Sequence, residues 1–142
     1  MKYIKLRKAN ITDMPIIEAY IEAFRLDNEN LKYEQFTVAE ENGNIVGFGR
    51  IKQYEYCSEL GCVAVLEDCR NRSVGSALVR KLMQDFPRND IWITTDIPEY
   101  FERFGFKPAD EAPREIVDKI KRVCQSKQHP NAVIMLSHRE ET

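Results

Sequence analysis

Two histidines, His129 and His138, four cysteines and one tryptophan are spread over 142 residues. No CxxC pair occurs among Cys57, Cys62, Cys69 and Cys124, so the ligand spacings of a structural zinc site are missing and no metal is expected. Neither Cys62 nor Cys69 has a histidine nearby in sequence, which speaks against a thiol nucleophile and an acyl-enzyme route. The cysteines read instead as buried, reduced thiols. No uncharged apolar run approaches the roughly 20 residues that a spanning helix needs. The N-terminal MKYIKLRK alternates charge with hydrophobe and lacks the apolar centre of a signal peptide. A cytoplasmic protein with no membrane partner is the expectation. A basic excess is also missing: the net charge of −2 points away from nucleic acid. No repeat, low-complexity block or Gly/Pro/Ser-rich linker interrupts the chain, so residues 1–142 are expected to form a single domain.

What is present suits that size. Apolar residues make up 43% and charged residues 31%, enough for a real core under a charged surface. Tyr3 to Arg7 alternates as a strand does. Thr12 or Asp13 is positioned to cap a helix with Ile16, Ile17, Tyr20, Ile21 and Phe24 on its apolar face and Pro15 in its first turn. Asp27 to Glu34 reads as a loop or short helix. Strands Phe36–Ala39 and Ile45–Ile51 flank Asn42-Gly43-Asn44, a strong hairpin signal because Asn and Gly accept positive φ.

Glu59 to Val65 is apolar on both faces and predicts a central strand. An amphipathic helix follows over Ser73 to Phe86, then a strand at Ile91 to Thr95. Strand, crossover helix and strand predict a parallel βαβ unit. Further on come a short helix opened by Pro98 and ended by Gly105, a helix from Arg114 to Cys124, and a last strand at Ala132 to Leu136. The expected class is α+β, one mixed and mostly antiparallel sheet with flanking helices. The basic run Lys119, Lys121, Arg122 and Lys127 reads as a solvated helix face.

The turn in "CVAVLEDCRNRSVGSALVRKL" carries the chemical signal. A helix N-terminus presents backbone N–H groups without intrahelical partners and favours negative charge. Ser73, Gly75 and Ser76 are small enough to let a bulky anion approach the backbone. Arg70 and Arg72 add charge and directional donors. The composition suits a pyrophosphate, although capping and solubility could use the same residues.

The pattern Val65-x-x-x-x-Arg70-x-x-Ser73-x-Gly75, between a strand and an amphipathic helix, resembles the coenzyme A loop of the GNAT acyltransferase superfamily. Ser73 stands where a glycine is commoner. A second family mark follows as "YFERFGFKP", Tyr100 to Pro108. Together with "WITT" and "ADEAP" the stretches resemble the acetyltransferase domain of N-acetylglutamate synthases and related short amino-acid N-acetyltransferases. The resemblance covers nearly the whole chain.

It implies acetyl-CoA as co-substrate, with pyrophosphate on the amides of Arg70, Asn71, Arg72, Ser73, Val74, Gly75 and Ser76. The pantetheine arm would pair with the backbone of Val63 and Val65. The acceptor amine must lose a proton before attack, and Glu59, six residues before Val65, stands where several family members place a catalytic glutamate. A solvated strand-end glutamate is the alternative for Glu59. The family's thiolate-protonating tyrosine position holds Phe101, which leaves Tyr100 as the candidate acid, turned about 100° away on a helix. Arg25, Arg50 and Lys52 are candidates by location for a substrate carboxylate, against the alternative of ordinary surface charge. The implied activity is direct acetyl transfer to a small primary amine such as an amino acid. Open alternatives are a protein, polyamine or aminoglycoside amine, or a CoA-binding sensor without turnover. Many relatives dimerise, so a homodimer is an expectation that no residue here localises.

Overall fold

The computed structural model describes residues 3–66, 69, 73–86, 88–123 and 132–138. Along the chain these form β1 (Lys5–Lys8), α1 (Met14–Phe24), β2 (Phe36–Glu41), β3 (Asn44–Gln53), β4 (Ser58–Val65), α2 (Val74–Asp85), β5 (Asp90–Thr95), α3 (Pro98–Glu102), β6 (Lys107–Pro108), α4 (Arg114–Val123) and β7 (Val133–His138). The strands make one seven-stranded sheet in the order β1-β2-β3-β4-β5-β7-β6. As the βαβ reading predicts, β4 and β5 run parallel, with Glu59 opposite Trp92. The pairs β1–β2, β2–β3, β5–β7 and β6–β7 are antiparallel. The two-residue β6 has no periodicity to read, which is why the sequence does not announce it. Among the described residues no helix is long and apolar enough to cross a membrane.

The chain divides into two compact units, Met1–Ile51 with Gly61–Phe86, and Lys52–Leu60 with Pro87–Thr142. In the first, the β2–β3 hairpin turns at Asn42 and Gly43, with φ of 52° and 81°. Both residues are left-handed, as the tight turn that matches strand twist requires. Gly49 marks a close approach, because a Cβ there would stand 2.5 Å from Leu82 Cδ1 of α2. Helix α1 departs from expectation at both ends. Asp13 holds the N-cap position of α1, as expected, but its side chain makes no capping bond to that helix. It closes a box with Asn10 instead, whose Oδ1 accepts from Thr12 N–H at 3.1 Å while Asp13 Oδ2 accepts from Asn10 N–H at 2.8 Å. This reciprocal box precedes a 3-10 turn at Ile11–Asp13, so the side-chain cap lies one turn earlier. The buried stripe is Met14, Ile17 and Ile21, packed on Phe36, Val38 and Phe48. Ile16 is 47% exposed because it sits a residue off that stripe; Phe24 is in register with it but, in the last turn, stacks on Tyr20 and stays 37% exposed. Arg25 ends the helix in the left-handed region at φ 56°, with Leu26 N–H bonding back to Ile21 O at 2.9 Å.

Two arginines organise this unit. Arg7 on β1 reaches Asp13 at 2.8 and 3.0 Å and Glu40 at 2.7 Å. The hydrogen bonds from Arg7 hold the Asp13 carboxyl below its ordinary range, against the opposing effect of burial. Arg50 on β3 is 1% exposed. Its Nε donates to Gln35 Oε1 at 2.8 Å, and its terminal nitrogens donate to the carbonyls of Asp27, Glu29 and Asn30. The guanidinium also stands 5.6 Å from the Phe36 ring centroid, and the Asp27 carboxylate supplies a counter-charge at 3.7 Å. One side chain thereby satisfies three loop carbonyls that have no ladder of their own.

In the second unit, Cys57, Trp92 and Ile116 are buried together, with Tyr54, Ile120, Ile134 and Leu136 packed around them. Phe101 and Phe106 meet edge to face at 6.0 Å, the core aromatics that the sequence suggests. Gly105, at φ 88°, makes the reversal after α3 that a side chain would strain.

Arg50→Lys is expected to lower stability by about 1–3 kcal/mol in chemical denaturation, because an ammonium cannot serve three carbonyls and Gln35 together. Asp13 has a depressed folded value, so its contribution is full above the unfolded value near 4 and is lost as pH falls through the folded one. Asp13→Asn should therefore flatten the acid side of the stability–pH curve below about pH 4, measured by thermal melts across pH.

Candidate active site

Strand β4 carries the predicted chemistry. Its buried, two-sided apolar character places it inside the sheet, between β3 and β5. Near its middle Cys62 adopts φ 50°, left-handed backbone that is rare within a strand. The Cys62 thiol donates to Asp27 O at 3.2 Å, anchoring this irregular point to the loop that Arg50 also holds. Val63 and Val65 follow, both half-buried.

Glu59 is not a solvated strand-end residue. It is 2% exposed, and both carboxylate oxygens are engaged. Tyr54 donates its hydroxyl to Oε1 at 3.1 Å, and Lys119 donates its ammonium to Oε2 at 2.8 Å. Lys119 corrects a second expectation. It does not belong to a solvated basic face but is 7% exposed, pointing inward from α4 beside the Ile116 and Ile120 row. The available sign was its register: Lys119 falls three residues after Ile116, on the apolar stripe, where a lysine calls for a counter-charge. Nothing in the sequence says which carboxylate supplies it, 60 residues away. Tyr54 is equally silent in the sequence, being one of two tyrosines in the short connection between β3 and β4.

Around this pair lie further ionisable groups. Lys52, 5% exposed, places its ammonium 5.3 Å from the Tyr54 ring centroid. Cys57 sits 3.9 Å from Glu115 Oε1, and burial, with the Glu115 and Glu59 charges, pushes its thiol up to about 12. That thiol stays protonated at neutral pH and is no nucleophile. Cys57, Cys62 and Cys69 form no disulfide.

The remaining candidates are dispersed. Tyr100 on α3 is half-buried, edge to face with Phe101 at 5.1 Å and Phe104 at 5.5 Å, with the Arg103 guanidinium 4.5 Å from its ring centroid. Phe101, at the position the resemblance gives to tyrosine, is 9% exposed. For Arg50 and Lys52 the alternative of surface charge fails, since both are buried; Arg25 is exposed. Arg70, Asn71 and Arg72 lie outside the described residues, as do Cys124, Lys127 and His129. Of the loop that follows β4, Ser73 is exposed at φ 62° ahead of α2, Val74 is buried into the core, and Gly75 and Ser76 are half-buried in the first turn. Small residues at a helix start leave its N–H groups approachable, which fits the anion-binding role expected of them.

Known proteins resemble the chain in sequence and in fold. The chain is 26% identical over 119 residues to an uncharacterised N-acetyltransferase of Chlorobaculum tepidum, covering 75% of this chain and 77% of that protein. N-acetylglutamate synthase of Neisseria gonorrhoeae, solved with coenzyme A and N-acetyl-glutamate, superposes with a TM-score of 0.78 at 20% identity, over 98% of this chain. The chain spans 36% of the length of that synthase. Rv2747 of Mycobacterium tuberculosis, solved in complex with CoA, superposes with a TM-score of 0.77 at 22% identity, over 96% of this chain and 99% of that one. These structural likenesses establish the fold. The acetyltransferase (GNAT) domain family matches residues 32–108, more than half of the 142, from the turn before β2 to the end of β6. The chain therefore belongs to the GNAT acetyltransferase family, an acyltransferase family.

Proposed function

We propose that this protein transfers the acetyl group of acetyl-CoA to the primary amine of a small molecule, an amino acid such as glutamate in the most specific reading. The observation that carries the reading is the family match across β2 to β6, within which β4 bears a buried, oriented carboxylate at Glu59. The amino-acid part draws on the fold likeness to the gonococcal synthase, and the cytoplasm as location draws on reduced cysteines.

Acetyl-CoA would lie on the backbone of Val63 and Val65, with its pyrophosphate at residues 70–76, and would supply an activated thioester. The chain's own residues manage the protons. Glu59, acting through a water, takes a proton from the acceptor ammonium, so the neutral amine can attack. The N–C bond forms as the C–S bond breaks, in a ternary complex and with no acyl-enzyme. Tyr100 gives its proton to the departing thiolate. A carboxylate acceptor group would be met by the exposed Arg25 or by Lys52. Arg50 we assign to holding the 27–35 loop, because its donors are spent on protein groups.

Two observations favour a second reading, a CoA-binding module without turnover: Phe101 replaces the expected tyrosine, and both Glu59 oxygens already have partners. A free-CoA release assay over glutamate, aspartate, arginine and polyamines separates the two. Release with one acceptor, reduced about 10²- to 10⁴-fold in kcat by Glu59→Gln, is the expected result. Binding of acetyl-CoA with no release across the panel would favour the non-catalytic module. Tyr100→Phe should lower kcat less than Glu59→Gln, because a thiolate leaves more readily than an amine gives up its proton.

A further inference from the structure

Lys119 has no part in the reaction described above, yet its position demands a reason. An ammonium placed on the core face of α4 is costly, and a buried ion pair is a weak way to add stability: well-packed apolar replacements often do as well. The geometry around Glu59 is specific. Lys119 meets Oε2 at 2.8 Å from α4, and Tyr54 meets Oε1 at 3.1 Å from the connection between β3 and β4. A carboxylate has about four lone-pair sites, so each oxygen can accept one bond more. The carboxylate is thus fixed in orientation and still able to take a proton.

Lys119 is the cation in direct contact with the Glu59 carboxylate. Glu115 lies against Cys57 and adds negative charge, the Arg88 charge acts on the Cys57 thiol, which burial keeps protonated, and Lys52 places its ammonium 5.3 Å from the Tyr54 ring centroid. A buried carboxylate that loses its facing cation takes up a proton more readily, and a protonated carboxyl is no base.

We propose that Lys119 is a positioning residue for acetyl transfer: its charge keeps Glu59 ionised and, together with the Tyr54 hydroxyl, fixes the orientation of the carboxylate. This rests on the reading of Glu59 as the general base. Wild type, Lys119→Gln, Lys119→Arg, Tyr54→Phe and Glu59→Gln are compared by kcat/KM as a function of pH, with thermal melts of each. Lys119→Gln should move the acid limb upward by about one pH unit or more, Lys119→Arg should leave it in place, and Tyr54→Phe should move it upward by less. A folded Lys119→Gln with the wild-type acid limb would overturn the proposal. Should Lys119→Gln not fold, the Tyr54→Phe limb decides, and an unmoved limb again counts against it. Full activity in Glu59→Gln removes the base reading itself; an inactive Glu59→Gln beside an unmoved Lys119→Gln limb removes only the role of Lys119.

Discussion

Burying a carboxylate and an ammonium is tolerable only where each finds the other and the remaining polar atoms are satisfied. In this protein that constraint joins β4 to α4 through Glu59 and Lys119, with Tyr54 supplying the further hydrogen bond. The apolar packing around it is arranged accordingly. Trp92 lies opposite Glu59 on the neighbouring strand, and Ile116 and Ile120 flank Lys119 on the helix. Glu59 and Lys119 are both buried, and low exposure to water strengthens their attraction and raises the cost of losing either partner.

A second buried cation works differently. Arg50 offers a planar fork of donors to carbonyls, and the 27–30 loop folds around it. The same loop receives the Cys62 thiol through Asp27 O, so it is tied to both β3 and β4. Cys62 is the left-handed residue of β4, a conformation that costs free energy and persists only where surroundings determine it. Strand irregularity and loop position are therefore coupled, at a place where the family fold is expected to receive the pantetheine arm.

These two buried cations, one in each unit, are spent differently. Lys119 is bonded to the carboxylate proposed to react. The other shapes backbone, and its lack of exposed donors makes it a poor ligand for an incoming substrate. The donor half of the proposed reaction is the better defined one. Family membership speaks to acetyl transfer from a thioester, while the acceptor is recognised by side chains that vary under one fold.

Much of this was legible from residue order. The Asn42-Gly43 turn, the two-sided apolar β4, the crossover helix beginning at Val74 and the reversal at Gly105 follow from local rules about φ, periodicity and capping. Small residues at Ser73, Gly75 and Ser76, around the start of that helix, with "YFERFGF" downstream, sufficed for the family. Tertiary structure decided the rest. It turned Lys119 from a surface charge into the partner of Glu59, made Arg50 a structural clasp, and engaged the Asp13 side chain with Asn10 and Arg7 instead of with the first turn of α1. Each of these depends on groups brought together across long stretches of chain or through a 3-10 turn, and periodicity says nothing about such pairings. A residue's own type fixes what it can donate or accept; only the folded chain fixes what it meets.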